Sequence, residues 1–152
     1  KQLKTKYNYM KQQNELSYFS LRLQELLNTS FPELAHDNVF IQQRSQYAAE
    51  TYESAFKAGN RIEQCQAIAD SVLFDGLYFS KFDTVMQAVS NEFDTVMMDE
   101  ELRPFALKML RICEPVFAKY ELTADFAYGT DFDLLYTELT GTIATWIEEH
   151  GL

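Results

Sequence analysis

A chain of 152 residues with 47% hydrophobic and 24% charged residues is long enough to bury a core and too apolar to be a disordered segment. Five glycines and three prolines are too few to turn a chain of many short strands, which leaves long helices joined by short connections. The net charge of −10 argues against the body binding a phosphate backbone directly.

Residues 1–12 are polar and aperiodic. They hold Lys1, Lys4, Lys6 and Lys11, four of the 13 basic residues, and no acid; they read as a flexible basic arm. The remaining 9 basic and 23 acidic residues give the rest of the chain a net charge of −14. Asn14 is placed to cap a first helix running to about Asn28, with Leu16, Phe19, Leu23, Leu26 and Leu27 at helical spacing. Pro32 ends that helix, because the residue before a proline avoids the α region. Asp37 caps a second helix to Ala58, closed by Gly59, in which Ser45, Ala48, Ala49 and Ala55 allow a neighbouring helix to come close. Asn60 and Glu63 have the spacing of a capping box at the start of a third helix, whose inward stripe is Ile62, Cys65, Ile68, Ala69, Val72 and Leu73. Ser80, with Asp83 three residues on, caps a fourth, whose stripe is Phe82, Val85, Met86, Val89 and Phe93.

A fifth helical region opens at Asp99, with the stripe Leu102, Ala106, Met109, Cys113 and Val116. Pro104 and Pro115 each remove an N–H donor from it. Residues 120–130 read as a connection. Thr130 and Asp133 have capping spacing at the head of a final helix to His150, where Phe132, Leu135, Leu139, Ile143 and Trp146 form an apolar stripe. Gly141 inside that helix costs about 1 kcal/mol relative to Ala and predicts close helix–helix contact. No period-two alternation marks a strand and no linker divides the chain. The expectation is one all-α domain over residues 13–152, about six helices in an orthogonal or bundle-like array.

The pattern contains little that suggests catalysis. Cys65 and Cys113 share no metal or redox spacing and read as small buried hydrophobes with reduced thiols. No apolar run reaches the 18 or so residues of a membrane span and no leader pattern is visible, so the expected location is the cytoplasm. His36 precedes a helix start; His150 ends one, where a cation complements the helix dipole. Two histidines and two isolated cysteines supply no zinc set, and no Glu-x-x-His pair is present for a di-iron bundle. There is no glycine-rich phosphate loop and no nucleophile elbow. The acids Asp99, Glu100, Glu101, Asp131 and Asp133 sit at helix starts, where negative charge stabilises the positive end of the dipole. No catalytic, metal or cofactor residue is therefore assigned, and no cofactor is expected.

Two aromatic-rich junctions remain, Leu77 to Asp83 and Val116 to Tyr136. Their residues Tyr78, Phe79, Lys81, Phe82, Phe117, Lys119, Tyr120, Phe126 and Tyr128 form a candidate partner surface. Two readings stay open: the rings pin the connections onto the core, or they face a partner. Lys81 and Lys119 are placed for cation–π contacts or for pairing with Asp83 and Asp125. The flanks are one-signed. Phe82 to Leu102 holds six acids, and Tyr120 to the end seven, with no Lys or Arg in either stretch.

Ala48-Ala49-Glu50-Thr51-Tyr52-Glu53, Leu77 to Val85 (LYFSKFDTV), Val116-Phe117-Ala118-Lys119-Tyr120, Leu135 to Gly141 (LYTELTG) and the closing Gly151-Leu152 together resemble the Bacteroidetes proteins of domain-of-unknown-function family 1896. The resemblance covers about residues 14–152 and leaves the basic arm outside. It implies a small all-α fold of six or so helices and carriage on integrated mobile elements, often among DNA-processing genes; it brings no activity and no site residues. The expected function is a non-enzymatic helical interaction module that docks on a protein partner. The alternatives are an acidic nucleic-acid mimic that occupies a DNA-binding protein, and an enzyme whose site residues are dispersed.

Overall fold

Proline and glycine set the punctuation of the chain, and the long stretches between them are helical. The computed structural model describes residues 2–152. Its elements are α1 (Gln2–Ser30), α2 (Asn38–Lys57), α3 (Ile62–Leu73), α4 (Lys81–Glu92), α5 (Asp99–Ile112), α6 (Glu114–Phe117), a 3-10 turn (Phe126–Tyr128) and α7 (Asp131–His150). The described residues contain no strand, so the all-helical expectation holds. Among the described residues no helix is long and apolar enough to cross a membrane. The chain divides into two packed units, Lys1–Leu77 and Tyr78–Leu152, with the boundary inside the Leu77–Asp83 junction rather than at any linker.

In the first unit α2 packs against both α1 and α3. Phe19, Leu23, Leu27, Phe31, Ile41, Ala48, Ala69 and Leu73 form the core. Ser45 and Ala48 are fully buried, as expected of small residues that let helices approach. The Ser45 hydroxyl has no hydrogen-bond partner. Helix α1 begins twelve residues before the expected cap at Asn14, and residues 2–12, read from sequence as a flexible arm, are helical. Nothing in that segment breaks a helix: it lacks Gly and Pro, and its three Lys, two Gln, Leu3 and Met10 lose little on entering one.

Asp37 caps α2 as expected, accepting from the Phe40 N–H at 3.0 Å, and Gly59 follows with φ +94°. Asn60 plays a different part from the one its spacing suggested. Its side-chain amide donates to the Ala55 carbonyl at 2.9 Å, closing α2. Helix α3 instead starts after Arg61, whose N–H donates to Gln64 Oε1 at 3.1 Å. Ile62, expected inward, is 63% exposed at the first position of this helix.

The second unit is built on α7, which contacts α4, α5, α6 and the 3-10 turn. Its core runs through Phe82, Val85, Val89, Leu102, Met109, Cys113, Phe117, Leu135, Leu139 and Ile143. Each fully buried ring or branched side chain contributes about 1.5–3 kcal/mol relative to exposure. Ser80 caps α4, its hydroxyl accepting from the Asp83 N–H at 2.9 Å. Helix α5 runs through Pro104, and the chain breaks at Cys113, one residue before α6, which carries Pro115 in its first turn. A proline is tolerated there because the first N–H groups of a helix have no internal partner. Thr130 precedes α7 in helical conformation and makes no side-chain cap, unlike the expected capping pair.

Candidate protein-interaction surface

The second unit joins the two aromatic junctions into one ring cluster. Phe126, carried by the 3-10 turn, lies at its centre. Phe79 meets it edge-to-face at 5.2 Å between ring centroids and Tyr120 at 5.7 Å. Phe132 from the first turn of α7 closes the group at 6.4 Å. Offset and edge-on rings of this kind add about 0.5–1.5 kcal/mol per pair beyond their burial. The anchoring reading therefore accounts for most of the candidate residues. Phe82, Phe117 and Phe126 are buried and offer nothing to a partner, which corrects their assignment to a docking surface. They are buried because all three side chains are part of the core cluster of the second unit.

Phe79 and Tyr120 are half-buried. Outside the cluster stand Tyr78, 58% exposed, and Tyr128, 90% exposed. Tyr128 is two residues from the ring that fixes its turn, so a large side chain is presented on an anchored base. Asp125, Asp131 and Asp133, all exposed, flank it in sequence.

Neither lysine pairs as its neighbours in sequence suggested. Lys81 Nζ lies 2.6 Å from Glu114 Oε1 and 5.8 Å from the centre of the Phe117 ring; Asp83 is engaged instead through its N–H with Ser80. Lys119 Nζ lies 3.1 Å from Glu138 Oε2, on α7, rather than beside Asp125. The Tyr120 hydroxyl donates a short hydrogen bond to the other Glu138 oxygen. That bond, reinforced by burial, pushes the Tyr120 hydroxyl up to about 12. The same bond, together with Lys119, holds the Glu138 carboxyl below its ordinary range. A second relay lies between α7 and α4: Asn91 donates to the Tyr136 hydroxyl at 3.4 Å, and that hydroxyl donates to Glu92 at 3.0 Å. Glu114, Glu138 and Glu92 were invisible as partners because 18 to 44 residues separate the members of each pair.

Beside Lys119 and Glu138 lies an open groove of about 520 Å³, lined by Ile112, Val116, Gly141, Thr145 and Trp146 among others. Gly141 leaves this space rather than making a tight contact: an added Cβ meets no neighbouring heavy atom within 4 Å. Trp146 is boxed by Phe105 at 5.9 Å, by His150 stacked at 4.6 Å and by Lys108 over its ring. Among the described residues no group of three or more His, Cys, Asp or Glu is placed to hold a metal ion. Burial alone pushes the Cys113 thiol up to about 11. Residues 78–152 carry 14 acids and 5 bases, so nine of the ten net negative charges belong to this unit.

A family model described as a domain of unknown function (DUF1896) matches residues 11–152. The chain belongs to that family. The resemblance drawn from the sequence segments is thereby shown, and the first ten residues lie outside the match. The fold is similar to that of the crystal structure of protein PG0816 from Porphyromonas gingivalis, which is 37% identical, with a TM-score of 0.88 over 94% of this chain and 97% of that one. Among curated proteins nothing matches.

Proposed function

We propose that this family member is a non-enzymatic, cytoplasmic accessory module that docks on a basic surface of another protein through its second unit. The observation that carries the reading is Tyr128. It is 90% exposed, sits on a turn whose Phe126 is locked in the ring cluster, and has acids but no Lys or Arg between it and the chain end. A tyrosine held in this way contributes contact area at low entropic cost, and tyrosine is enriched among residues that dominate binding energy. Surrounding carboxylates favour a cationic partner and speed its encounter. The raised Cys113 thiol supports the non-catalytic side of the reading, because the thiolate is the reactive form. The mobile-element setting that the family resemblance implies is part of the same proposal.

The test is capture of partners from the native host with the intact chain, alongside Tyr128→Ala and an Asp131→Asn/Asp133→Asn variant. A partner retained by the intact chain and lost by both variants is the expected result. Recovery of no protein above background, or of partners that ignore both changes, removes the proposal.

One observation favours a second reading, a nucleic-acid mimic: the 14-to-5 imbalance of acids over bases in residues 78–152. It requires carboxylates in a row at phosphate-like spacing. It is distinguished by competition, since a mimic displaces DNA from its target and a docking module leaves DNA bound.

A further inference from the structure

Helix α1 has two apolar faces, and only one of them is used by its own unit. Phe19, Leu23 and Leu27 point into the core. On the opposite side, Leu3, Tyr7, Met10, Tyr18 and Leu21 are 85%, 67%, 55%, 48% and 63% exposed. At 3.6 residues per turn these five positions and Asn14 fall within an arc of about 80°, forming a stripe about 27 Å long. The helix also outruns its neighbours. Lys11 ties it to α2, 4.0 Å from Glu53 and over the Phe56 ring; every residue from Gln2 to Met10 is exposed.

The charges along α1 are arranged against its own dipole. Its first turns carry Lys4 and Lys6, and its first turn holds no acid; its last turn holds no base. Cations at the positive end of a helix are unfavourable, and the carbonyl end lacks the cation that would suit it. An antiparallel second copy corrects both faults. The basic head of each α1 then lies beside the carbonyl end and the exposed Glu25 of the other.

We propose that the occupant of this stripe is a second copy of the chain, in an antiparallel, two-fold pairing of the α1 helices. Tyr7 and Met10 of each copy lie over Leu21 and Tyr18 of the other, Lys4 approaches Glu25, and the two Asn14 side chains meet at the axis. The interface is isologous and closed, so it gives dimers and not filaments. A polar residue at one seam position fixes the register of paired helices. The surface is on the first unit and is independent of the one around Tyr128, so either proposal can fail without the other. The leading part of the stripe precedes residue 11, where the family match begins, so this pairing belongs to this chain and is not extended to the family.

Sedimentation equilibrium of the full chain tests the pairing. The expected result is a reversible dimer at twice the chain mass, weakened by added salt. Leu21→Glu and Tyr7→Glu, at exposed positions, weaken association roughly tenfold or more with an unchanged helical circular-dichroism spectrum. Lys4→Glu combined with Lys6→Glu weakens it and removes most of the salt dependence. Asn14→Cys gives a disulfide-linked dimer on mild oxidation, whereas Gln42→Cys and the parent chain, with Cys65 and Cys113 buried, do not. A monomer at every concentration overturns the proposal. So does a dimer indifferent to the α1 substitutions, or one that Asn14→Cys fails to link while Gln42→Cys succeeds.

Discussion

The two units solve the same problem with different side chains. In the first, α3 is held by arginines. Arg22 of α1 makes a two-pronged ion pair with Asp70, which Gln66 braces at 2.9 Å; that pairing, more than any other influence, raises the guanidinium further above its usual range. Arg44 of α2 reaches the carbonyls of Val72, Leu73 and Asp75, the last at 2.6 Å, and so closes the C-terminal end of α3. In the second unit the ion pairs Lys81–Glu114 and Lys119–Glu138 use lysines at half-buried or exposed positions, and the junctions are packed with aromatic rings. The charge follows the same division. Residues 1–77 hold 9 acids and 8 bases, against 14 and 5 in residues 78–152. The acidity of the whole chain is thus a property of one half, and an argument about partners drawn from the overall charge applies to that half alone.

Four experiments sharpen or break this contrast. The largest effect is expected from Phe117→Ala, which empties a fully buried site in the second unit and costs about 3–5 kcal/mol. Trp146, the one tryptophan of the chain, reports that unit. If urea unfolding followed by Trp146 fluorescence moves while part of the circular-dichroism transition stays in place, the units unfold separately; coincident transitions join them into one cooperative structure. Next, Arg44→Ala leaves three carbonyls of the first unit without their charged donor and costs about 1.5–3 kcal/mol. Arg44→Lys restores only part of it, because an ammonium cannot spread over the same fork. A loss under 0.5 kcal/mol in urea unfolding would show the arginine staple to be ornamental.

Gly141→Ala is expected to raise stability by about 0.5–1 kcal/mol, since the new methyl meets open space in the groove of the second unit; a lower melting temperature would contradict that geometry. The smallest stability effect is alkaline. Tyr120 binds its proton more tightly folded, at about 12, than its ordinary value of 10.0. Its contribution is therefore complete below about pH 10 and is lost as the pH rises toward 12. Glu138 is shifted the other way, so its share is present above the ordinary carboxylate range and fades as acid protonates the folded form. Phenolate absorbance, read as the difference between the intact chain and Tyr120→Phe, should show one late-ionising tyrosine. Glu138→Gln should return that tyrosine toward its ordinary range.

What could be read from the amino acids was local. Asp37, Gly59 and Ser80 sit where cap chemistry requires them, and the stripe of α7 runs inward as its spacing predicts. The misreadings are also local signals, overruled by something nearby or distant. Asn60 offered an N-cap but serves the preceding helix, since its amide reaches Ala55 more readily than the turn ahead. Residues 2–12 lacked an apolar period facing a core, yet a helix needs no core-facing stripe to continue from a stable neighbour. Gly141 promised a close crossing and marks a groove, because a missing side chain is equally compatible with contact and with space. Of the candidate surface, the burial of Phe126 depends on its meeting with Phe79, a ring more than forty residues away. That separation lies outside any window of local spacing.

The two cysteines make the halves separately addressable. Cys65 lies in the first and Cys113 in the second, and both are sealed from solvent. A thiol reagent can reach either sulfur only when the surrounding helices part, so each acts as a clock on the opening of its own half. Mass-resolved alkylation over time, peptide by peptide, would therefore time both openings in one sample, with no residue replaced.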